Sequence, residues 1–343
     1  MNKSTLTPFF PAAALFVFLL VATPPGIRAQ ESYIGQGLAP VRDFQPIQGL
    51  SLQIPGESIH PVAKGRFAMR LHVAESSTIL QETTPTASAV LKLNQLRSSI
   101  DLRYGLLHNT EVGIEIASLY NNSGGLDGLV TAVEHLVNRP APLRVNLNHA
   151  GFAYRLSRNG QTVLQGTNGA YGLTDTVLSS KALVIPEKKY LPGIALRMAV
   201  KIPTGDQSRA FGTGLVDLGF GLAAQKAFLG HVVLYQNVNE IFPIGHYLGF
   251  GLRAYMTSIT GVEFVITPKF SITGQFDYYQ SPFHHTGMKL LDNAITEGVL
   301  VFGYRFTPRL LWQFYGIENL DFTRDSAPDF TLATVITYRL DRL

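Results

Sequence analysis

The stretch Lys201 to Gly221 (KIPTGDQSRAFGTGLVDLGFG) gathers the residue types that do polar chemistry. Pro203 has no N–H to give a ladder and ends a strand. Thr204-Gly205-Asp206 supplies turn residues, and Gly212 and Gly214 let the chain re-enter the next segment. Asp217 follows, with Gly219 and Gly221 leaving it room. A lysine and an aspartate on adjacent strands suit ion pairing or contact with a polar solute, not covalent catalysis. No P-loop, G-x-S-x-G, H-E-x-x-H or dinucleotide fingerprint occurs. Of nine histidines only His284 and His285 are adjacent, and no carboxylate stands at metal-ligand spacing. Neither a metal nor another cofactor is therefore expected. His149 and His231 lie near strand starts with serines available. They keep a lipid-hydrolysing enzyme open as an alternative, but without a motif the chain is read as a non-enzyme.

The remaining charges follow a period of two, the mark of a strand. Phe67, Met69, Leu71 and Val73 alternate with Arg66, Arg70 and His72; Ile100, Leu102 and Tyr104 with Asp101 and Arg103; Val112, Ile114 and Ile116 with Glu111 and Glu115. The pattern recurs over Ile194–Ile202, Leu215–Lys226, Phe270–Tyr279 and Leu300–Phe306. The polar face carries both signs in similar numbers: Arg155, Arg197, Lys201, Asp217, Arg253, Glu263, Asp277, Glu297 and Arg305 join those just named. Lipid excludes such groups, since a cation at the bilayer midplane costs about 2–4 kcal/mol, whereas a polar lumen can hold them. Arg70, Arg103, Glu115, Arg197, Lys201, Asp217, Glu263, Asp277 and Arg305 are the pore-lining candidates. Ion pairs that hold the wall together are the competing reading for these groups.

Elements must be found that put one face to lipid and the other to a lumen. Connectors alternate between short (Leu107–Asn109, Arg158–Gly160, Thr267–Lys269, Thr307–Arg309) and long (Ser76 to Gln95, Asn121 to Asn148, Pro203 to Thr213, Ile241 to Gly251, Pro282 to Ala294, Asn319 to Pro328). Short periplasmic turns against longer outer loops mark an outer-membrane barrel. The expectation is an all-β, transmembrane antiparallel β-barrel of about 14 strands over residues 65–343. The count falls to 12 if the weak segment Gln161–Gly166 and a neighbour fail. Tyr104, Tyr120, Tyr154, Tyr278, Tyr304 and Tyr338 are read as interfacial girdles. One short helix, Leu126 to Val137, is expected in the longest outer loop from its i, i+3, i+4, i+7 apolar spacing.

Composition agrees with this reading. Only 15% of residues are charged, against roughly 25% in soluble domains, yet 46% are hydrophobic. The net charge of +4 is too small for a nucleic-acid footprint, and with no cysteine there is no disulfide scaffold. Lys3 and the apolar run Ala12–Thr23 read as a signal peptide over residues 1–29. Residues 30–64, with four prolines from Pro40 to Pro61, form an irregular extension, either periplasmic or folded into the lumen as a plug.

The Pro-Thr-Gly-Asp turn followed by Gly-x-Gly-x-x-Asp-x-x-x-Gly resembles the hairpin of Gram-negative outer-membrane barrels associated with meta-pathway degradation of aromatic compounds. The order of segments is similar to that of the family known as domain of unknown function 3187. These segments are the proline-rich Pro40–Pro46, a helical loop insert, the Lys201–Gly221 hairpin, and Gly261-Val262-Glu263-Phe264 before Pro268. The resemblance implies an outer-membrane barrel acting as a passive channel for small solutes, apolar or aromatic ones among them. A closed barrel with a structural or envelope-assembly role is the alternative. Lipid, lipopolysaccharide, the barrel-assembly machinery and a small solute are the implied partners, with no nucleic acid. No catalytic residue is transferred.

Overall fold

A computed structural model describes residues 35–124, 151–320 and 326–340. The signal peptide and the Leu126–Val137 helix expected from the sequence lie outside the described residues. Among those described, the one α-helix is Lys289–Asp292, and no helix is long and apolar enough to cross a membrane. Strands make the crossing.

The strands are β1 (Phe67–Thr83), β2 (Ala87–Leu107), β3 (Thr110–Asn122), β4 (Ala153–Arg158), β5 (Gln161–Gln165), β6 (Tyr171–Leu173), β7 (Thr176–Ile185), β8 (Gly193–Ile202), β9 (Val216–Phe228), β10 (Val232–Ile244), β11 (His246–Tyr247), β12 (Phe250–Gly251), β13 (Tyr255–Thr267), β14 (Phe270–Tyr279), β15 (Ile295–Thr307), β16 (Leu310–Asn319) and β17 (Phe330–Leu340). All neighbours in the wall pair antiparallel. The sheet runs from β3 through β7, β8, β9, β10 and β13 to β17, then to β1 and β2, which pairs back with β3. Phe67 opposite Leu340 and Ser77 opposite Phe330 mark the seam between first and last wall strands. Closure removes the unpaired edge that a bilayer would not tolerate.

The barrel has twelve strands, the lower of the two counts. The two segments that made fourteen, Ala153–Arg158 and Gln161–Gln165, form a hairpin outside the wall. Its β4 pairs with the far end of β2, Ala87–Lys92, while β3 pairs directly with β7. The asparagine–glycine turn of this hairpin, Asn159 at φ 49° and Gly160 at φ 77°, is the tight type that suits strand twist. Arg155 is thus exposed on the hairpin, and Arg253 lies between strands rather than on one.

The sequence expectation of a loop over Ser76–Gln95 is corrected too. β1 and β2 run on past the wall as one ribbon that turns at residues 84–86. Here Ser76–Leu80 and Leu91–Gln95 are buried on both faces, so no apolar–polar alternation marks them as strand. Within the wall the alternation holds. Leu71, Val73, Ile100, Leu102, Ile116, Phe220, Leu222 and Leu300 are exposed to the lipid side. Phe67 stacks near Tyr104 at 4.6 Å, and Tyr304 near Phe306 at 4.9 Å, both at the turn end. Tyr154 leaves the expected girdle: it is buried in the outer loops, its hydroxyl donating to the Pro46 carbonyl at 2.7 Å.

Those loops share an apolar cluster over the barrel mouth, built on Leu80, Leu91, Tyr154, Phe211, Tyr247, Phe283, Met288 and Leu291. Ile47 and Leu50, from the N-terminal segment, complete it. The Glu82 carboxylate at the ribbon accepts from the N–H groups of Lys289 and Leu290, at 2.9 and 2.8 Å, satisfying the first turn of that helix.

Candidate functional site: the lumen and its N-terminal plug

Residues 35–64 thread the lumen, one of the two placements the sequence left open. An irregular chain has no ladder of its own, so each buried N–H needs a partner. Wall side chains supply them. Glu263 Oε1 accepts from Gln36 N–H at 2.6 Å and its Oε2 from Gly37 N–H at 3.2 Å. Gln275 Oε1 accepts from Ala39 N–H at 2.7 Å, and Asp217 Oδ2 from Leu52 N–H at 2.8 Å. Asn237 Oδ1 accepts from Glu57 N–H at 3.2 Å, and Glu111 Oε2 from Val62 N–H at 2.5 Å. The plug leaves its groove at Gly105, where any Cβ would run into the Ala63 carbonyl; Gly65 N–H donates to Gly105 O at 2.8 Å.

The pore-lining candidates stand on the inner face in separate groups. Arg70 and Arg103 both reach Asp101, at 3.4 and 2.9 Å. Arg103 also pairs with Glu111 at 2.7 Å and with Glu57 of the plug. Arg197 meets Glu57 Oε1 at 2.9 Å and donates to Asn237 Oδ1 at 2.8 Å. Glu115 binds Arg97 at 2.8 Å and Arg42 of the plug. Lys201 lies between Asp175 at 2.9 Å and Asp217 at 3.2 Å, and donates to Leu50 O at 3.2 Å. Glu263 holds the start of the plug together with the Tyr235 hydroxyl, 2.7 Å away. Arg305 reaches Gly35 O at 3.4 Å. Asp277 sits apart: it accepts from the Tyr279 hydroxyl at 3.2 Å and lies opposite Glu297 in register.

The turn of the Lys201–Gly221 hairpin closes on Asp175, between β6 and β7. That carboxylate accepts from Gly205 N–H at 2.9 Å and Thr213 N–H at 3.2 Å. A Cβ at Gly212 would collide with it. In the same loop Asp206 caps a short turn, accepting from Ser208 N–H at 2.9 Å; the Ser208 hydroxyl and these amides hold its carboxyl below the usual range. His284 and His285 stack at 5.2 Å in the β14–β15 loop, and no metal-holding cluster occurs among the described residues.

Among the partners that escaped the sequence reading are Arg42, Glu57, Arg97, Asp175, Lys181 and Asn237. Lys181 lies in Thr174–Leu183, whose faces do not resolve because Asp175 interrupts the strand. Glu57 lies where no periodicity exists, and only its placement in the lumen reveals its role. Packed this way, the interior leaves small spaces. One cavity of about 40 Å³ lies beside Glu57, Arg70, Asp101 and Arg197, and another of about 50 Å³ beside Asp43, Asp175 and Lys201. Each has room for a few waters, a site needing about 10–15 Å³ per water on this measure.

The fold resembles that of a solved structure. The COG4313 outer membrane channel from Pseudomonas putida F1 superposes with a TM-score of 0.54 at 10% identity, covering 84% of this chain and 100% of that one. The NanC porin gives 0.47 at 7% identity over 79% and 98%. The toluene transporter TodX of P. putida gives 0.37 at 10% identity over 81% and 90%. At such identities the first likeness speaks to the fold alone, and the two weaker superpositions add nothing to it. The fold is that of an outer-membrane barrel, which puts the chain in the bacterial outer membrane. No functionally curated protein matches the sequence. A family model does, over residues 27–340, and the chain belongs to that family, DUF3187, described as a protein of unknown function.

Proposed function

We propose that the chain is a passive, non-enzymatic channel for small solutes, and that residues 35–64 are a movable plug in its lumen. One observation carries this reading: the plug is held by wall side chains, not by a strand ladder. Every such bond is one that water can replace when the segment leaves. Here the wall keeps Arg103, Arg197, Lys201, Asp217 and Glu263 behind a filler attached through one stretch of chain. The likeness to an outer membrane channel supports the same reading. The lining favours solutes that carry a polar or charged group, aromatic ones included. Lipid and lipopolysaccharide outside the apolar wall, and the barrel-assembly machinery, are the partners proposed with it.

A second reading, a closed barrel serving envelope structure or assembly, is favoured by the apolar cluster over the mouth. Planar-bilayer recording on folded protein separates the two. Discrete openings above background are expected of the channel; their absence at every voltage contradicts it. A shift in gel mobility between boiled and unboiled samples verifies that the barrel under test is folded.

A further inference from the structure

Glu57 is held as a bound carboxylate would be. Arg197 Nε meets its Oε1 at 2.9 Å, while Lys181 Nζ meets its Oε2 at 3.1 Å with Arg103 Nη1 on the same oxygen. The three cations come from β2, β7 and β8; Lys181 and Arg197 are buried and Arg103 is half-buried. The plug adds the Ser58 carbonyl on Lys181 and the Pro55 carbonyl on Arg197, but each cation also has a wall partner. Glu111 bridges Arg103 at 2.7 Å and Lys181 at 3.1 Å; Asp101 takes Arg103 Nε at 2.9 Å; Asn237 takes Arg197 Nη1 at 2.8 Å.

Withdrawing the plug therefore leaves a formed site, not a collapsed one. Its wall cations, Arg70, Arg103, Lys181 and Arg197, outnumber the wall carboxylates Asp101 and Glu111. A buried excess of positive charge calls for an anion. The two oxygens of Glu57 are approached separately, by a guanidinium on one and a lysine with a second guanidinium on the other. That division suits a planar two-oxygen group, since each oxygen then takes its own charge-assisted donors. Val177 and Ala199 give the adjoining cavity an apolar side.

We infer that Arg103, Lys181 and Arg197 form the solute site of this channel, that its ligands are small monocarboxylates, and that Glu57 is an internal stand-in which the solute displaces. The inference rests on the channel reading for its physiological meaning, but the site can be tested without current.

Propionate and benzoate are the probes, with chloride at equal ionic strength as control. Isothermal titration of folded Glu57→Gln protein should show saturable carboxylate binding at least tenfold tighter than to the unaltered protein. Glu57→Gln/Arg197→Gln should lose that binding. In the unaltered protein, propionate but not chloride should speed amide exchange of Leu52 and Val62, a readout that requires no variant. In bilayers Glu57→Gln should favour anions, and propionate should shorten its openings. Equal binding of chloride, no binding by Glu57→Gln, or exchange unmoved by propionate overturns the site. Binding and exchange as expected, with no current from any sample, overturn the channel reading and leave the site standing.

Discussion

In the outer cap, Phe211, Phe283, Met288 and Leu291 are wholly or almost wholly buried against each other and against Tyr247. Along residues 35–64 apolar contacts, such as Leu52 and Ile54 on Ala199 and Ile241 or Val41 on Val301 and Val335, are joined by a second kind: N–H to carboxylate, carbonyl to lysine, carboxylate to guanidinium. Apolar burial is non-directional and gains from excluding water. A hydrogen bond inside a lumen competes with water for the same donor, and its net worth is only about 0.5–1.5 kcal/mol. The two regions thus differ in the share of their contacts that water can replace. The cap holds unless its side chains are removed. The polar contacts of the plug hold as long as water and competing ions stay out.

That contrast can be pressed by substitution. Phe283→Ala in the cap should have the largest effect, about 3–5 kcal/mol for a buried aromatic, seen as protease cleavage within the outer loops while the barrel keeps its heat-modifiable mobility. Asp217→Asn, at the plug, should cost about 1.5–3 kcal/mol, the range for hydrogen bonds to a charged group. Its signature is local: faster amide exchange at Leu52, with the cap's protease resistance unchanged. Tyr154→Phe removes one hydroxyl bond to Pro46, where plug and cap meet. It should cost about 1 kcal/mol and raise exchange in residues 46–50 without exposing the outer loops to protease. A loss of cap protection in Asp217→Asn as large as that in Phe283→Ala would erase the distinction.

The wall was legible in the sequence because its two faces meet two solvents. Leu71 against Arg70, or Phe276 against Asp277, reports lipid on one side and lumen on the other. The β1–β2 ribbon beyond the wall was not legible, because Ile79, Leu80, Leu91 and Leu93 are buried on either face and leave no period to read. The opposite case misplaced Tyr154 and added two strands to the count: a short hairpin alternates whether or not it crosses a bilayer. Of the site, Arg103, Arg197, Lys201 and Asp217 were visible as inward charges, but their partners in the plug were not. Glu57, Arg42 and the backbone of Leu52 lie in a segment whose conformation is set by the wall around it, and local pattern carries no trace of that.

The movable plug is tested most directly by pinning it. The chain has no cysteine, and Leu38 Cγ lies 3.6 Å from where a Cβ on Gly261 would sit, close enough for a disulfide to join plug to wall. Leu38→Cys/Gly261→Cys protein should be silent in a planar bilayer when oxidised and should open like the unaltered protein once reduced. Equal currents in the oxidised and reduced states would contradict a plug that moves to open the lumen.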